Sequence, residues 1–207
     1  VRADRLVTDY RVSLAGADVT VHADATLRGI AAYGATVEAA RAENVRVDVT
    51  GTGVAVELPL AADAIAYTTD AAITAVRGQV LVGLPTTGPM RVDADLGLEA
   101  VDLRGHVADT GQAQVHLLGD ALAFDVDLDT PDREFLAVAG TMDLAKLSGR
   151  LDHLRVSPTP RQAWSDDGQT VFTVAGAGVK DVHLKLASDL GKIEFYGAAG
   201  MEGPLKA

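Results

Sequence analysis

From Met90 to Glu99 apolar and polar positions alternate without a break: Met90, Val92, Ala94, Leu96 and Leu98 against Arg91, Asp93, Asp95, Gly97 and Glu99. The same beat runs through Leu122-Ala-Phe-Asp-Val-Asp-Leu-Asp129 and Val45-Arg-Val-Asp-Val-Thr50. Successive side chains of a β-strand point to opposite faces, so each stretch carries one apolar and one polar face. Stretches of this period fill most of the chain, and no long helical period lies between them. The alternation predicts strands at 5–14, 18–28, 45–50, 54–60, 64–69, 73–84, 90–104, 112–118, 121–129, 134–142, 151–157, 170–175, 179–186 and 192–198, about fourteen in all.

Turn chemistry separates them at Ala15–Asp18, Thr50–Gly53, Thr86–Pro89, Ala108–Gly111, Leu118–Asp120 and Ser165–Gly168, where Gly, Asp, Thr and Pro supply tight-turn conformations. Ala31–Glu43 is rich in Ala and compatible with a helical turn or two, against which stand Gly34 and a poor helical period. Leu144–Leu147 reads as a short turn. Pro158-Thr-Pro160 interrupts the alternation before Trp164, so 157–169 reads as a loop. The fold class expected is all-β: an elongated, curled sheet, antiparallel or mixed, with an apolar interior; a β-helix or a sandwich is the alternative. It is expected to form a single unit over 1–207, with 142–150 as a possible seam.

Composition narrows the chemistry. Hydrophobic residues are 48% of the 207 but aromatic ones only 4%, so the apolar faces are aliphatic, with Phe124, Phe135, Phe172 and Phe195 far apart. Such a face suits packing against itself and equally suits flexible hydrocarbon. A net charge of −11 argues against nucleic acid, whose phosphates are bound by Lys and Arg clusters. It argues equally against lying flat on an anionic membrane. Without cysteine there is neither a disulfide framework nor thiolate chemistry. The chain begins at Val1, ends on Gly203-Pro-Leu205-Lys-Ala, and has no apolar run of membrane-spanning length. The expectation is a piece of a longer protein whose anchor lies outside it.

The last third carries a recurring cadence: Leu147-Ser-Gly-Arg-Leu-Asp-His-Leu-Arg-Val-Ser-Pro158, then Trp164 and Thr170-Val-Phe-Thr-Val174. Gly178-Val-Lys-Asp-Val-His-Leu-Lys-Leu186, Gly191-Lys-Ile-Glu-Phe-Tyr-Gly197 and Gly203-Pro-Leu205 follow. Over about 60 residues this resembles the repeating segments of the TamB/AsmA-like group of bacterial envelope proteins; Ala40–Val49 and Gly88–Ala94 have a similar character. The resemblance implies a folded-over, β-taco-like sheet with a hydrophobic groove, anchored in the inner membrane and spanning the periplasm. It implies a role in moving phospholipid between inner and outer membranes, or in envelope and outer-membrane assembly. Flanking segments of the same protein and outer-membrane proteins would be its partners, and no catalytic residue carries over.

Physical reasoning leads to the same place. A sheet with one apolar face must cover that face with something. Curled into a trough, fourteen strands at about 4.8 Å would line roughly 65 Å of aliphatic wall. An acyl chain gains about 0.8 kcal/mol per buried CH₂, on the order of 10 kcal/mol for a whole tail. Sliding along a uniform wall changes that energy little, as transport requires. The wall is expected to consist of Val47, Val56, Leu58, Val92, Leu96, Leu98, Phe124, Val126, Leu128, Phe172, Leu184 and Phe195, with phospholipid acyl chains as ligand. The competing reading is a structural spacer or adhesin module whose aliphatic residues pack on one another.

Other chemistry is poorly supported. Asp125, Asp127 and Asp129 imitate the start of a calcium loop, but the glycine at the sixth position is missing and Leu136 stands where the bidentate Glu belongs. His22, His106, His116, His153 and His183 have no metal-like spacing. Ser148 and Ser157 lack a nucleophile elbow, and Ala175–Gly178 opens no helix that could hold phosphate. No enzyme, metal or cofactor is expected. Trp164 and Tyr196 could anchor at an interface or merely cap the apolar layer. Arg150, Arg155 and Arg161 could meet lipid phosphates or simply face water.

Overall fold

The structure, a computed structural model, describes residues 2, 4–32, 35–67, 71–159, 161–166, 170–175 and 178–200. They form fourteen strands: β1 (Arg5–Ala15), β2 (Asp18–Ala32), β3 (Ala35–Thr50), β4 (Gly53–Tyr67), β5 (Ala71–Pro85), β6 (Arg91–Leu103), β7 (His106–Leu118), β8 (Ala121–Thr130), β9 (Arg133–Asp143), β10 (Ser148–Thr159), β11 (Gln162–Asp166), β12 (Thr170–Ala175), β13 (Gly178–Ser188) and β14 (Gly191–Gly200). The chain divides into two compact units, Val1–Gly119 and Asp120–Ala207. Residues 142–150 fall within the second, at the β9–β10 turn.

In the first unit β1 to β7 form an antiparallel meander in sequence order, each strand bonded to the next. All seven belong to this one hydrogen-bonded sheet. In the second unit β8, β9 and β10 continue as a meander. β11 and β12 then share the far side of β10, with Val156 opposite Trp164 and Leu151 opposite Thr170. The two are successive pieces of one strand position, and β13 closes over both before pairing with β14. All-β architecture with about fourteen strands is thus as the alternation predicts. Every pairing among the described strands is antiparallel, which removes the mixed sheet and the parallel β-helix.

Several boundaries differ from expectation for physical reasons. Ala31–Glu43 holds no helical turn among its described residues: Ala35–Ala42 run in β3, in register with both β2 and β4. The helical reading arose because the alternation slips at Asn44, where β3 carries one extra residue. Its apolar positions are Ala40 and Ala42 before the slip and Val45 and Val47 after it. Asn44 has φ 58°, and its N–H donates to the Asp24 carboxylate at 2.7 Å. The bulge re-aims the strand. Strands expected at 54–60 and 64–69 are one continuous β4 as far as Tyr67. The turn expected at Ala108–Gly111 lies inside β7; the chain reverses instead at Arg104-Gly105, with φ 54° and 85°, the backbone of a two-residue hairpin turn. Residues 157–169 are not a loop throughout, because β10 runs to Thr159 and β11 occupies 162–166.

One feature of the first unit is visible only in three dimensions. Gly29 in β2, Ala64 in β4 and Ala100 in β6 all have left-handed backbone, with φ 60°, 50° and 46°. The registers place all three on one line across the sheet. On every strand from β2 to β7 the apolar positions change phase at that line: Leu27 to Ile30, Ala40 to Val37, Ala62 to Ile65, Val76 to Ile73, Leu98 to Val101, and Gly111 to Ala108. A left-handed residue breaks strict alternation and turns the strand. The best-buried apolar residues of this unit flank the line: Ala62, Ala75, Val76, Val101 and Ala108, the last with no exposure at all.

Candidate functional site: an aliphatic face

Strand register converts the scattered aliphatic positions into rows. Val12 lies opposite Val21, Val21 opposite Val47, Val47 opposite Val56, Val56 opposite Val82, Val82 opposite Val92, and Val92 opposite Leu117. Cross-strand partners stand about 5 Å apart, so the row is an unbroken aliphatic stripe across seven strands, about 29 Å from β1 to β7. Leu58 belongs to the next row, opposite Val80, which faces Ala94 and then Val115. Leu96 faces Gly78 and Ala113, and Leu98 faces Val76 and Gly111. The six expected wall residues of the first unit therefore share one face. Val21, Val82 and Leu117 complete their row and were missed by sequence reasoning, although the alternation of β2, β5 and β7 carried the signal.

The second unit gathers the other six. Val126 faces Val138, and Val138 faces Leu154. Leu128 faces Leu136, then Val156 and Trp164, so the tryptophan extends an aliphatic row. Leu184 faces Phe195. Phe124 lies opposite Gly140, and Phe172 opposite Gly149. Each ring covers its glycine: a Cβ on Gly140 would meet the Phe124 ring at 2.9 Å, and one on Gly149 the Phe172 ring at 2.5 Å. Aromatic rings laid over strand glycines compensate for the missing side chains.

Burial distinguishes the twelve. Leu128 is buried, with 3% exposure, while the other eleven are half-buried. Among the described residues no large side chain is fully buried. A residue packed between two layers touches neighbours on all sides. These are half-covered, and in the first unit all seven strands belong to one sheet.

The opposite face is a lattice of charge. Arg46 pairs with Asp48 at 2.8 Å and Arg77 with Asp63 at 2.7 Å. Arg91 pairs with Asp93 at 2.6 Å, and Asp93 also meets His116. Hydrogen bonds from Arg91 and His116 hold the Asp93 carboxyl below its ordinary range, and the Thr20 hydroxyl does the same for Asp48. On β13–β14, Glu194 receives the Tyr196 hydroxyl at 2.5 Å, with His183 and Lys185 each at 2.9 Å. The hydrogen bond from Tyr196 leads in lowering its pKa to about 2. Tyr196 stacks on His183 with ring centres 4.0 Å apart, on the polar rather than the apolar side.

Asp125, Asp127 and Asp129 lie along β8 in extended backbone. Burial, then the charge of Asp125, raises the Asp127 carboxyl. Among the described residues no three His, Cys, Asp or Glu side chains converge as a metal site would require. Arg150 pairs with Asp152 at 2.9 Å. Arg155 meets Glu134 at 3.2 Å as an ion pair without hydrogen-bond geometry. No helix among the described residues is long and apolar enough to cross a membrane. Comparison with protein-family models, with curated proteins and with solved structures finds no match.

Proposed function

We propose that the aliphatic face is a binding surface for phospholipid acyl chains, and that the chain is a lipid-conducting segment working between the inner and outer membranes of a bacterial envelope. The observation that carries this reading is the unbroken cross-strand stripe of half-buried and exposed aliphatic residues from Val12 to Leu117. Soluble proteins rarely leave a large contiguous apolar surface uncovered unless something binds there. Methyl groups in rows about 5 Å apart offer a lipid tail the same contact at every strand. Along the stripe from Val12 to Leu117 every residue is aliphatic, so no polar group fixes a ligand in one place there. The resemblance of the last third to TamB/AsmA-like segments supports the periplasmic setting, with the anchor and the ends of the conduit supplied by flanking segments. On this reading the protein is not an enzyme.

Leu96 and Asp95 are adjacent in β6 and point to opposite faces. Leu96→Arg is expected to abolish binding of a fluorescent acyl-chain probe, while Asp95→Arg leaves it within about twofold. Far-ultraviolet circular dichroism of both variants establishes that each remains folded. Leu96 is preferred to Leu128 because it is half-buried, whereas a charge in place of buried Leu128 would unfold the sheet. Equal probe binding by the two folded variants would remove the apolar face from the mechanism.

A further inference from the structure

We propose that a cleft on the polar side of the second unit is a phosphate-binding site, in which Arg155 and Arg161 receive one phosphate group, free or esterified. The cleft has a volume of about 550 Å³, within the range of small-molecule sites and more than a phosphate alone fills. Its walls carry three guanidinium groups, those of Arg133, Arg155 and Arg161, against the two carboxylates of Glu134 and Asp189. Three arginines around one hollow stand out in a chain of net charge −11.

Strand register explains the hollow. Arg155 in β10 lies opposite Ala137 in β9 and Ser165 in β11, and Ser165 lies opposite Ala187 in β13. One long side chain thus stands in a row of short ones, which leaves open space beside its head. The neighbouring pair, Val156 and Trp164, turns to the other face by alternation. The cleft is therefore separate from the aliphatic row through Leu128, Leu136, Val156 and Trp164. Arg133 is held in place at its wall: Nε donates to the Ser157 carbonyl at 2.9 Å, and Nη1 pairs with Asp132 at 3.2 Å.

The other two arginines keep their donors. Arg155 stands 3.2 Å from Glu134 without hydrogen-bond geometry, and that carboxylate oxygen accepts no hydrogen bond. Arg161, just before β11, is exposed and has neither an ion-pair nor a hydrogen-bond partner among the described residues. A guanidinium presents its N–H donors in a planar fork that matches the oxygens of a phosphate. The hydroxyls of Thr159 and Ser165 line the same cleft and add neutral donors. A metal cation would face three guanidinium groups, so the electrostatics select an anion. The Glu134 and Asp189 carboxylates repel the same ligand and moderate its affinity.

Equilibrium dialysis of the whole chain against radiolabelled inorganic phosphate tests the site, in the parent, Arg161→Gln and Arg150→Gln. One phosphate is expected to bind per chain. Arg161→Gln should raise the dissociation constant by about tenfold or more, because hydrogen bonds between charged groups are the strong ones. Arg161 is exposed and unpaired, so its loss leaves the fold intact, which circular dichroism checks. Arg150, on the same strand, pairs with Asp152 outside the cleft, and Arg150→Gln should leave binding unchanged. Competition by glycerophosphoglycerol, a lipid headgroup without its tails, distinguishes the sources. Displacement of phosphate identifies a headgroup diester as a ligand, and its absence a free phosphate or monoester. A parent chain that binds no phosphate overturns the proposal. So does binding that survives Arg161→Gln, or that Arg150→Gln weakens as much. Acyl-chain binding enters none of these outcomes, so this proposal and the lipid reading fail separately.

Discussion

Single residues set the tolerances of these sheets, and Gly140 is a clear case. A Cβ there would run first into the Arg150 backbone carbonyl oxygen, then into the Phe124 ring at 2.9 Å and the Leu151 Cα at 3.2 Å. Nothing about the local sequence, Val-Ala-Gly-Thr, marks this glycine as different from Gly97 in β6. At Gly97 the nearest atom to an added Cβ is the Arg77 carbonyl oxygen at an ordinary 3.6 Å. Gly140→Ala is expected to cost about 1–3 kcal/mol through overpacking, and Gly97→Ala to stay within about 0.5 kcal/mol, both read from urea midpoints. Comparable losses at both sites would mean that the close approach of the Arg150 carbonyl and the Phe124 ring is not what reserves this position for glycine. The charged residues opposite need no such fit: their ion pairs lie in solvent, where each contributes little.

At the scale of strands, the sequence made type and number legible but concealed phase. Alternation in β6 and β8 identifies both faces without error, because neither strand slips within the stretch read. β3 was obscured by its bulge at Asn44, and β4 was divided because Ala62 and Ile65 are three residues apart. Those three-residue steps become intelligible only when the register aligns them across β2 to β7 at Gly29, Ala64 and Ala100. β11 was lost in a proline-containing stretch, since a five-residue strand has too few alternations to register. The wall fared similarly: Val47, Val56, Val92, Leu96 and Leu98 were readable, while their partnership with Val21, Val82 and Leu117 depended on register. Left-handed backbone disfavours an alanine by roughly 1 kcal/mol, and glycine does not carry that cost. Ala100→Gly is therefore expected to raise the unfolding free energy by up to about that amount, read from the urea midpoint. A clear loss of stability would mean that the Ala100 methyl is needed at the line of phase change.

For the whole molecule the central claim is that the half-buried aliphatic face of the first unit exists to be covered by lipid. The burial pattern of the first unit bears on it directly: its best-buried residues cluster along the line of left-handed backbone, Ala42 and Val45 are buried beside the Asn44 bulge, and most of the long rows stay half-buried. A sheet built only for its own stability would place its largest apolar side chains where they are best covered. Here the fully enclosed position is given to Ala108, and the larger Val92, Leu96 and Leu98 remain partly open. The measurement that tests this most directly is native mass spectrometry of the chain purified from bacterial cells without detergent, with extraction and identification of anything bound. The prediction is a phospholipid-bound species that disappears in Leu96→Arg. A lipid-free, monodisperse and highly stable chain would mean that the apolar faces satisfy one another, and would contradict the account.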